Sequence, residues 1–354
     1  MKILRWLLFP FSILYGLVVM IRNWCYDGGI LKSQSFKIPV ICVGNLDIGG
    51  AGKSPMTEYL VRLFKEKYKV ATLSRGYGRE TKGYLLANTD STPAQIGDEP
   101  TQFKHKFPEI TVAVCEKRVE GIEHLLPNHN LIILDDAYQH RAVKPGFSIL
   151  LFDYNRINNP RFLIPAGNMR EPMSGRWRAD IIVVSKCPEQ LPADAQAYIE
   201  ERINPLPYQS LFFTSVSYLS TQDLAGNRTD TTIDEDTTVF LLTGIAGPKP
   251  LVQHIKEYTS KVVHHNYPDH HRFSLKNISK LADEFSACTT QKKVIITTEK
   301  DAQRLFEHEL QPVIKDLPIQ VLPIGIRFLD NGGQQFDQLV TEYVREHTTN
   351  HLIH

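Results

Sequence analysis

Glycines, a lysine and a hydroxyl in close order are what a polyphosphate needs, and Gly49-Gly50-Ala51-Gly52-Lys53-Ser54 supplies them. Glycines let backbone N–H groups turn inward around an anion. Lys53 adds a point charge, and the Ser54 hydroxyl is suited to Mg²⁺ at the positively polarised start of a helix. The flanks support this reading. The apolar run Ile38-Pro39-Val40-Ile41-Cys42-Val43 precedes the loop. Pro55 fits a first helical turn, and Met56, Tyr59, Leu60, Leu63 and Phe64 follow at helical spacing. The commonest loop of this kind has its first glycine where this chain has Asp47, so the turn must be shaped differently. A glycine-rich turn without a ligand is the alternative, and the strand before and helix after argue against it.

Acidic residues fall where phosphate chemistry would use them. Leu131-Ile132-Ile133-Leu134-Asp135-Asp136 is an apolar strand ending in two carboxylates, a form that delivers an acid to Mg²⁺ beside a phosphate loop. Gly97-Asp98-Glu99-Pro100 holds two acids in a turn that is either solvated or able to position an attacking hydroxyl. Arg118, and Arg170 with Glu171 before Pro172, read as loop residues, and an arginine there can bind phosphate. The cluster Tyr267-Pro268-Asp269-His270-His271-Arg272-Phe273 pairs a histidine with an acid, which suits proton transfer or the orientation of a carboxylate from elsewhere. His264-His265 raises zinc, but no Cys or Glu falls at ordinary ligand spacing. Thr297-Thr298-Glu299-Lys300-Asp301 follows a strand and either adds charge at the interdomain cleft or forms a charged helix cap, with no catalytic step assigned.

The elements that must position these groups follow from short apolar runs. Candidate strands lie at 40–43, 69–73, 110–114, 131–134, 148–152 and 180–184, separated by crossover-sized segments. The pattern predicts an α/β fold: a P-loop NTPase-like, mainly parallel sheet flanked by helices, with ligands at the carboxyl ends of the strands. A polar stretch from Ser220 to Asp236 reads as a linker, preceded by a strand-like run at 210–216. A smaller αβ unit follows, with strands near 239–242, 294–297 and 319–322 and helices near 250–258, 274–285 and 336–346. The expected division is 1–26, 27–220 and 221–354, the last closing over the active site.

The chain has 354 residues, 42% of them hydrophobic and 22% charged, with a net charge of +1, so nothing in its overall charge favours nucleic acid. Five cysteines share no short spacing and read as reduced thiols. From Trp6 to Ile21 there is no charge, with Lys2, Arg5 and Arg22 as brackets. As a helix this segment reaches about 24 Å, short of the roughly 30 Å hydrocarbon core. A cleaved signal lacks small residues at its cleavage site, and a buried helix is a further alternative. A membrane-associated helix that inserts or lies in the interface, with Trp6, Tyr15 and Trp24 at headgroup level, is the expectation.

Taken together, the pieces resemble the tetraacyldisaccharide 4'-kinase family, the lipid A 4'-kinases. They are Gly44-Asn45-Leu46, the loop from Gly49 to Pro55, Ser74-Arg75-Gly76-Tyr77-Gly78-Arg79, Gly97-Asp98-Glu99-Pro100 and Asp135-Asp136-Ala137-Tyr138-Gln139-His140-Arg141. Beyond these come Arg170-Glu171-Pro172, Leu242-Thr243-Gly244-Ile245-Ala246, Pro268-Asp269-His270-His271 and Thr298-Glu299-Lys300-Asp301. The resemblance implies transfer of the ATP γ-phosphate to the 4'-hydroxyl of an acylated glucosamine disaccharide at the cytoplasmic face of the inner membrane. It implies ATP bound by Gly49, Gly50, Ala51, Gly52, Lys53, Ser54 and Pro55. Mg²⁺ would be held by Ser54, by Asp135 or Asp136, and by Glu171. Asp98 would be the base and His270 its partner, with Asp269 and Lys53 also catalytic. Tyr77, Arg118 and Arg170 would place substrate or nucleotide. A monomer is expected. Ser54 stands where the family usually has Thr. One rival is a nucleotide switch or metal-delivery ATPase without a lipid acceptor. Guanine reading is disfavoured because Pro188, after Ser185-Lys186-Cys187, replaces the needed Asp. The second rival is a membrane adaptor with a structural phosphate loop.

Overall fold

Runs such as Leu131-Ile132-Ile133-Leu134 and Ile181-Ile182-Val183-Val184 present apolar side chains to both faces, which a strand tolerates only in a sheet covered on both sides. Both runs are buried along their whole length. The computed structural model describes residues 7–229 and 231–350. Its first sheet is built from β1 (Val40–Asn45), β2 (Val70–Ser74), β3 (Leu85–Leu86), β4 (Thr111–Val114), β5 (Leu131–Asp135), β6 (Phe147–Asp153), β7 (Ile181–Cys187) and β8 (Ser210–Tyr218), together with a late strand, β13 (Ile324–Phe328). The strand order is β13-β8-β7-β6-β1-β5-β2-β4-β3. Only β3 and β13, at the two edges, run antiparallel to their neighbours. β1 lies between β5 and β6, so the phosphate loop after β1 and the acids ending β5 emerge side by side.

Helices cover both faces: α1 (Phe9–Asp27), α2 (Lys53–Phe64), α3 (Asp98–Lys106), α4 (Arg118–Leu125) and α5 (Ala193–Ile203). A second, all-parallel sheet of β9 (Thr238–Thr243), β10 (Val262–Asn266), β11 (Lys293–Thr298) and β12 (Ile319–Leu322) has the order β10-β9-β11-β12. It carries α6 (Lys249–Lys256), α7 (Leu275–Ala287) and α8 (Glu299–Leu305). Ser274 caps α7 with a reciprocal hydrogen-bond pair to Asn277.

One expectation is corrected here. The expected second unit, 221–354, ends early in space: after β12 the chain returns to the first sheet. β13 pairs with β8, from Ile324 opposite Tyr218 to Phe328 opposite Thr214. The final helix, α9 (Gly332–Asn350), then buries Phe336, Val340 and Val344 in the first core with Phe64 and Phe212. Tyr343 reaches Val40 in β1, its hydroxyl accepting from the backbone N–H at 3.2 Å. A chain cut at residue 220 would leave β8 as a bare edge and open this core.

The N-terminal helix is expected from its sequence to insert into a membrane or to lie in its interface. Lys2, Arg5 and Trp6 lie outside the described residues. Among the described residues no helix is long and apolar enough to cross a membrane. Instead α1 lies along the first domain, burying Ser12, Gly16 and Val19. A Cβ at Gly16 would meet Leu163 at 2.7 Å, so glycine permits the close approach. The Ser12 hydroxyl accepts from the Ala166 N–H at 2.8 Å, and the Tyr15 hydroxyl donates to the Arg170 carbonyl at 2.9 Å. The other face exposes Phe11, Leu14, Leu17, Val18, Ile21 and Trp24.

Because Phe336 is fully enclosed, Phe336→Ala is expected to destabilise the first domain by about 3–5 kcal/mol, measured by urea unfolding. A loss below about 1 kcal/mol, the scale of a surface change, would show α9 to be an appendage.

Candidate active site

The loop from β1 to α2 is held by its carbonyls. Arg156 Nη1 donates to the Ile48 carbonyl at 2.6 Å, Ser185 Oγ to that of Ala51 at 2.8 Å, and Lys186 Nζ to that of Gly50. In a trans peptide C=O and N–H point opposite ways, so anchoring these carbonyls turns the N–H groups of Gly49 and Gly52 the other way. Gly49 and Gly52 have φ of 110° and 80°, which glycine adopts without strain. No side chain caps α2, which leaves its first N–H groups available to an anion. Lys53 Nζ donates to Asn45 Oδ1 at 3.2 Å and lies 3.7 Å from Asp136 Oδ1.

The acids ending β5 diverge. Asp135 is buried and accepts from Thr57 Oγ1 at 3.3 Å. Burial, with Glu99 and Asp136 adding negative charge, pushes its carboxyl up to about 7. Asp136, at φ 48°, points away and accepts from Arg170 Nη1 at 2.9 and 3.1 Å. Glu99 is the acid nearest the Ser54 hydroxyl, which donates to Glu99 Oε1 at 2.9 Å. That same oxygen accepts from Lys300 Nζ at 2.6 Å.

Glu171 does not join this group, which corrects its expected place in the metal set. Its carboxylate is wholly enclosed, pairs with Arg178 at 2.5 Å and Arg22 at 3.4 Å, and accepts from Asn23 at 3.4 Å. It fastens α1 to the first domain. Arg118 differs from expectation too: it opens α4 and is buried. One of its Nη groups donates to the Cys115 carbonyl, while its buried Nε finds no partner among the described residues. Burial lowers its pKa to about 10, against the opposing pull of Asp135 and Asp136. Tyr77 is exposed, its ring 5.9 Å from that of His270.

Asp98 opens α3 at the domain junction. Its Oδ2 accepts from Arg304 Nη2 at 2.7 Å and Nε at 3.2 Å, and shares a proton with His270 Nδ1 at 2.9 Å. Burial alone would raise the Asp98 carboxyl. The hydrogen bonds and charges of His270 and Arg304 outweigh it and hold the group down at about 2. His270, at φ 58°, is raised above 6.5, chiefly by its bond to Asp98. Asp269 stands 3.9 Å from His270 Nε2. Arg304 is buried and fixed from behind by Asp301 Oδ1 at 2.9 Å and the Gly244 carbonyl at 3.0 Å.

Three residues were not assigned from sequence: Glu99, Lys300 and Arg304. The available signal was the spacing. Lys300 and Arg304 are four apart on one helix and face the adjacent acids Glu99 and Asp98. Ser54, Glu99 and Asp135 offer only oxygen donors, which fits Mg²⁺ better than zinc. Among the described residues no group of three or more His, Cys, Asp or Glu could hold a metal alone. Mg²⁺ commonly takes one or two carboxylates, with waters and substrate phosphates completing its shell.

Known proteins resemble this chain over nearly its whole length. The family profile described as Tetraacyldisaccharide-1-P 4'-kinase matches residues 4–345. The Tetraacyldisaccharide 4'-kinase of Bacteroides thetaiotaomicron is 45% identical over 99% of this chain and 95% of its own length. That of Flavobacterium johnsoniae is 43% identical over 98% and 99%. The crystal structure of LpxK from Aquifex aeolicus in complex with ATP superposes with a TM-score of 0.75 at 26% identity, covering 96% of this chain and 99% of that one. With a matching profile across nearly the whole chain and relatives this similar, the protein belongs to the tetraacyldisaccharide-1-P 4'-kinase family.

Proposed function

We propose that this protein transfers the γ-phosphate of ATP to the 4'-hydroxyl of a tetraacylated glucosamine disaccharide 1-phosphate, the lipid A 4'-kinase step. The observation that carries the reading is the meeting of Asp98 and His270, from different domains, beside a phosphate loop. Phosphoryl transfer needs in-line positioning and charge neutralisation more than covalent help. The loop N–H groups and Lys53 hold the β- and γ-phosphates. Ser54, Glu99 and Asp135 would hold Mg²⁺, which when bound neutralises phosphate charge. Asp98 takes the proton of the sugar hydroxyl through Oδ1, since Oδ2 is occupied. The freed oxygen attacks the γ-phosphorus, and ADP leaves. Tyr77, exposed and with its ring 5.9 Å from that of His270, would meet the incoming sugar.

A four-chain substrate stays in its bilayer, because each buried CH₂ contributes about 0.8 kcal/mol. The apolar face of α1 would rest on that surface, at the cytoplasmic side of the inner membrane, with the helix lying flat.

Asp98→Ala is expected to retain nucleotide binding and lower turnover by about 100-fold or more, whereas Lys53→Ala should weaken both. Equal turnover in Asp98→Ala and wild type would sink the base assignment. The pH dependence has a definite sign. His270 faces Asp98, Asp269, Arg304 and the Tyr77 ring. Losing its proton as pH rises removes positive charge from Asp98 and makes it a stronger base. kcat/KM should therefore climb through a midpoint above 6.5, and His270→Gln should abolish that limb. A wild-type profile lacking the limb takes His270 off the proton path. For the membrane, Leu17→Glu with Ile21→Glu should weaken vesicle binding by roughly tenfold or more per residue while leaving the melting temperature in place. Unchanged co-sedimentation with lipid vesicles would rule out this face of α1 as the contact.

A further inference from the structure

Lys300 has no part in the transfer step as derived above, yet its ammonium reaches the centre of the site. It sits in the first turn of α8, on the second domain. Its Nζ is 2.6 Å from Glu99 Oε1, the oxygen that also accepts the Ser54 hydroxyl at 2.9 Å. An oxygen bonded to a hydroxyl and an ammonium has no lone pair left for a third partner. Ser54 and Glu99 are also the groups best suited to Mg²⁺. The cation position beside Ser54 is therefore filled by a lysine.

We infer that Lys300 is a placeholder cation: it neutralises Glu99 and Asp135 before nucleotide binds, and a divalent cation that takes the Ser54 hydroxyl and Glu99 Oε1 together displaces it from that oxygen. The inference rests on the phosphoryl-transfer reading above. Two adjacent anions in a confined site repel strongly when neither is compensated. Lys53 is directed to Asn45 and Asp136, so it does not serve Glu99 directly. Asp135 and Asp269 also act on the Lys300 charge, which places the ammonium among acids on both sides of the cleft.

The rest of the domain contact does not depend on Lys300. Arg304 holds Asp98, Lys106 pairs with Glu299 at 2.5 Å, and His105 meets Gln303 at 2.6 Å. Displacement at Lys300 can thus occur with the domains still docked. By linkage, whatever Lys300 contributes to holding Glu99 is subtracted from the affinity for the metal.

The test is Mn²⁺ binding to the full-length, ADP-saturated protein, followed by electron paramagnetic resonance, with melting curves to confirm folding. Lys300→Met, which keeps length and loses charge, should bind Mn²⁺ roughly 5-fold more tightly or better. Lys300→Arg, which keeps the charge, should stay near wild type. Glu99→Gln should bind more weakly, and the Glu99→Gln, Lys300→Met double variant should be no tighter than Glu99→Gln alone. If Glu99→Gln weakens binding but Lys300→Met does not tighten it, the placeholder role is overturned and the kinase reading stands. If Glu99→Gln has no effect, the metal assignment of Glu99 and this inference fall together.

Discussion

Carboxylates gathered beside a phosphate loop repel one another and the nucleotide alike, and the molecule is arranged around supplying cations to them. Asp98, Glu99, Asp135 and Asp136 are each met differently. Arg304 and His270 take Asp98, and Lys300 takes Glu99. Arg170 and Lys53 share Asp136. Asp135 makes no close ion pair among the described residues and accepts only from Thr57; burial pushes its carboxyl up, against the more distant charges of Lys53 and Lys300. Most of the compensating charge for Asp98 and Glu99 comes from α8, on the other domain. The two domains are therefore parts of one electrostatic unit, and α8 is its bridge.

That bridge is stiffened from behind. Asp301 is fully enclosed, accepts from the Gly244 N–H at 3.0 Å and from Thr298 Oγ1 at 2.8 Å, and holds Arg304 in turn. The loop after β9 and the cap of α8 thus set where Arg304 points, and Arg304 sets Asp98. A long side chain loses rotamer freedom when it is fixed, and here the loss is taken in the buried interior of the second domain. Asp98 meets a guanidinium already in position.

The first domain is closed by chain from the far end of the sequence. β13 covers the β8 edge, and α9 fills the core over β1 and α2. An exposed β8 would present unpaired backbone groups, so the return strand is part of the nucleotide-binding unit. At the other end Glu171, itself paired with Arg178, clamps α1 through Arg22 and Asn23. A helix with an outward apolar face is thereby fixed at a defined angle to the site.

The local chemistry was legible in the residues. The phosphate loop, the strand bearing Asp135 and the parallel sheet follow from spacing, because each depends on a few neighbouring positions, whereas the Asp98–His270 pairing was implied only by the family resemblance. The sequence alone did not show that Glu171 serves α1, that residues after 322 rejoin the first domain, or that Lys300 and Arg304 face Glu99 and Asp98. Pairs such as Glu99 with Lys300 are far apart in the chain, and a charged residue in a helix cap looks the same whether it faces water or a distant carboxylate. Which acid meets which cation is decided by packing two domains together, since only tertiary contact removes the water that would otherwise screen them.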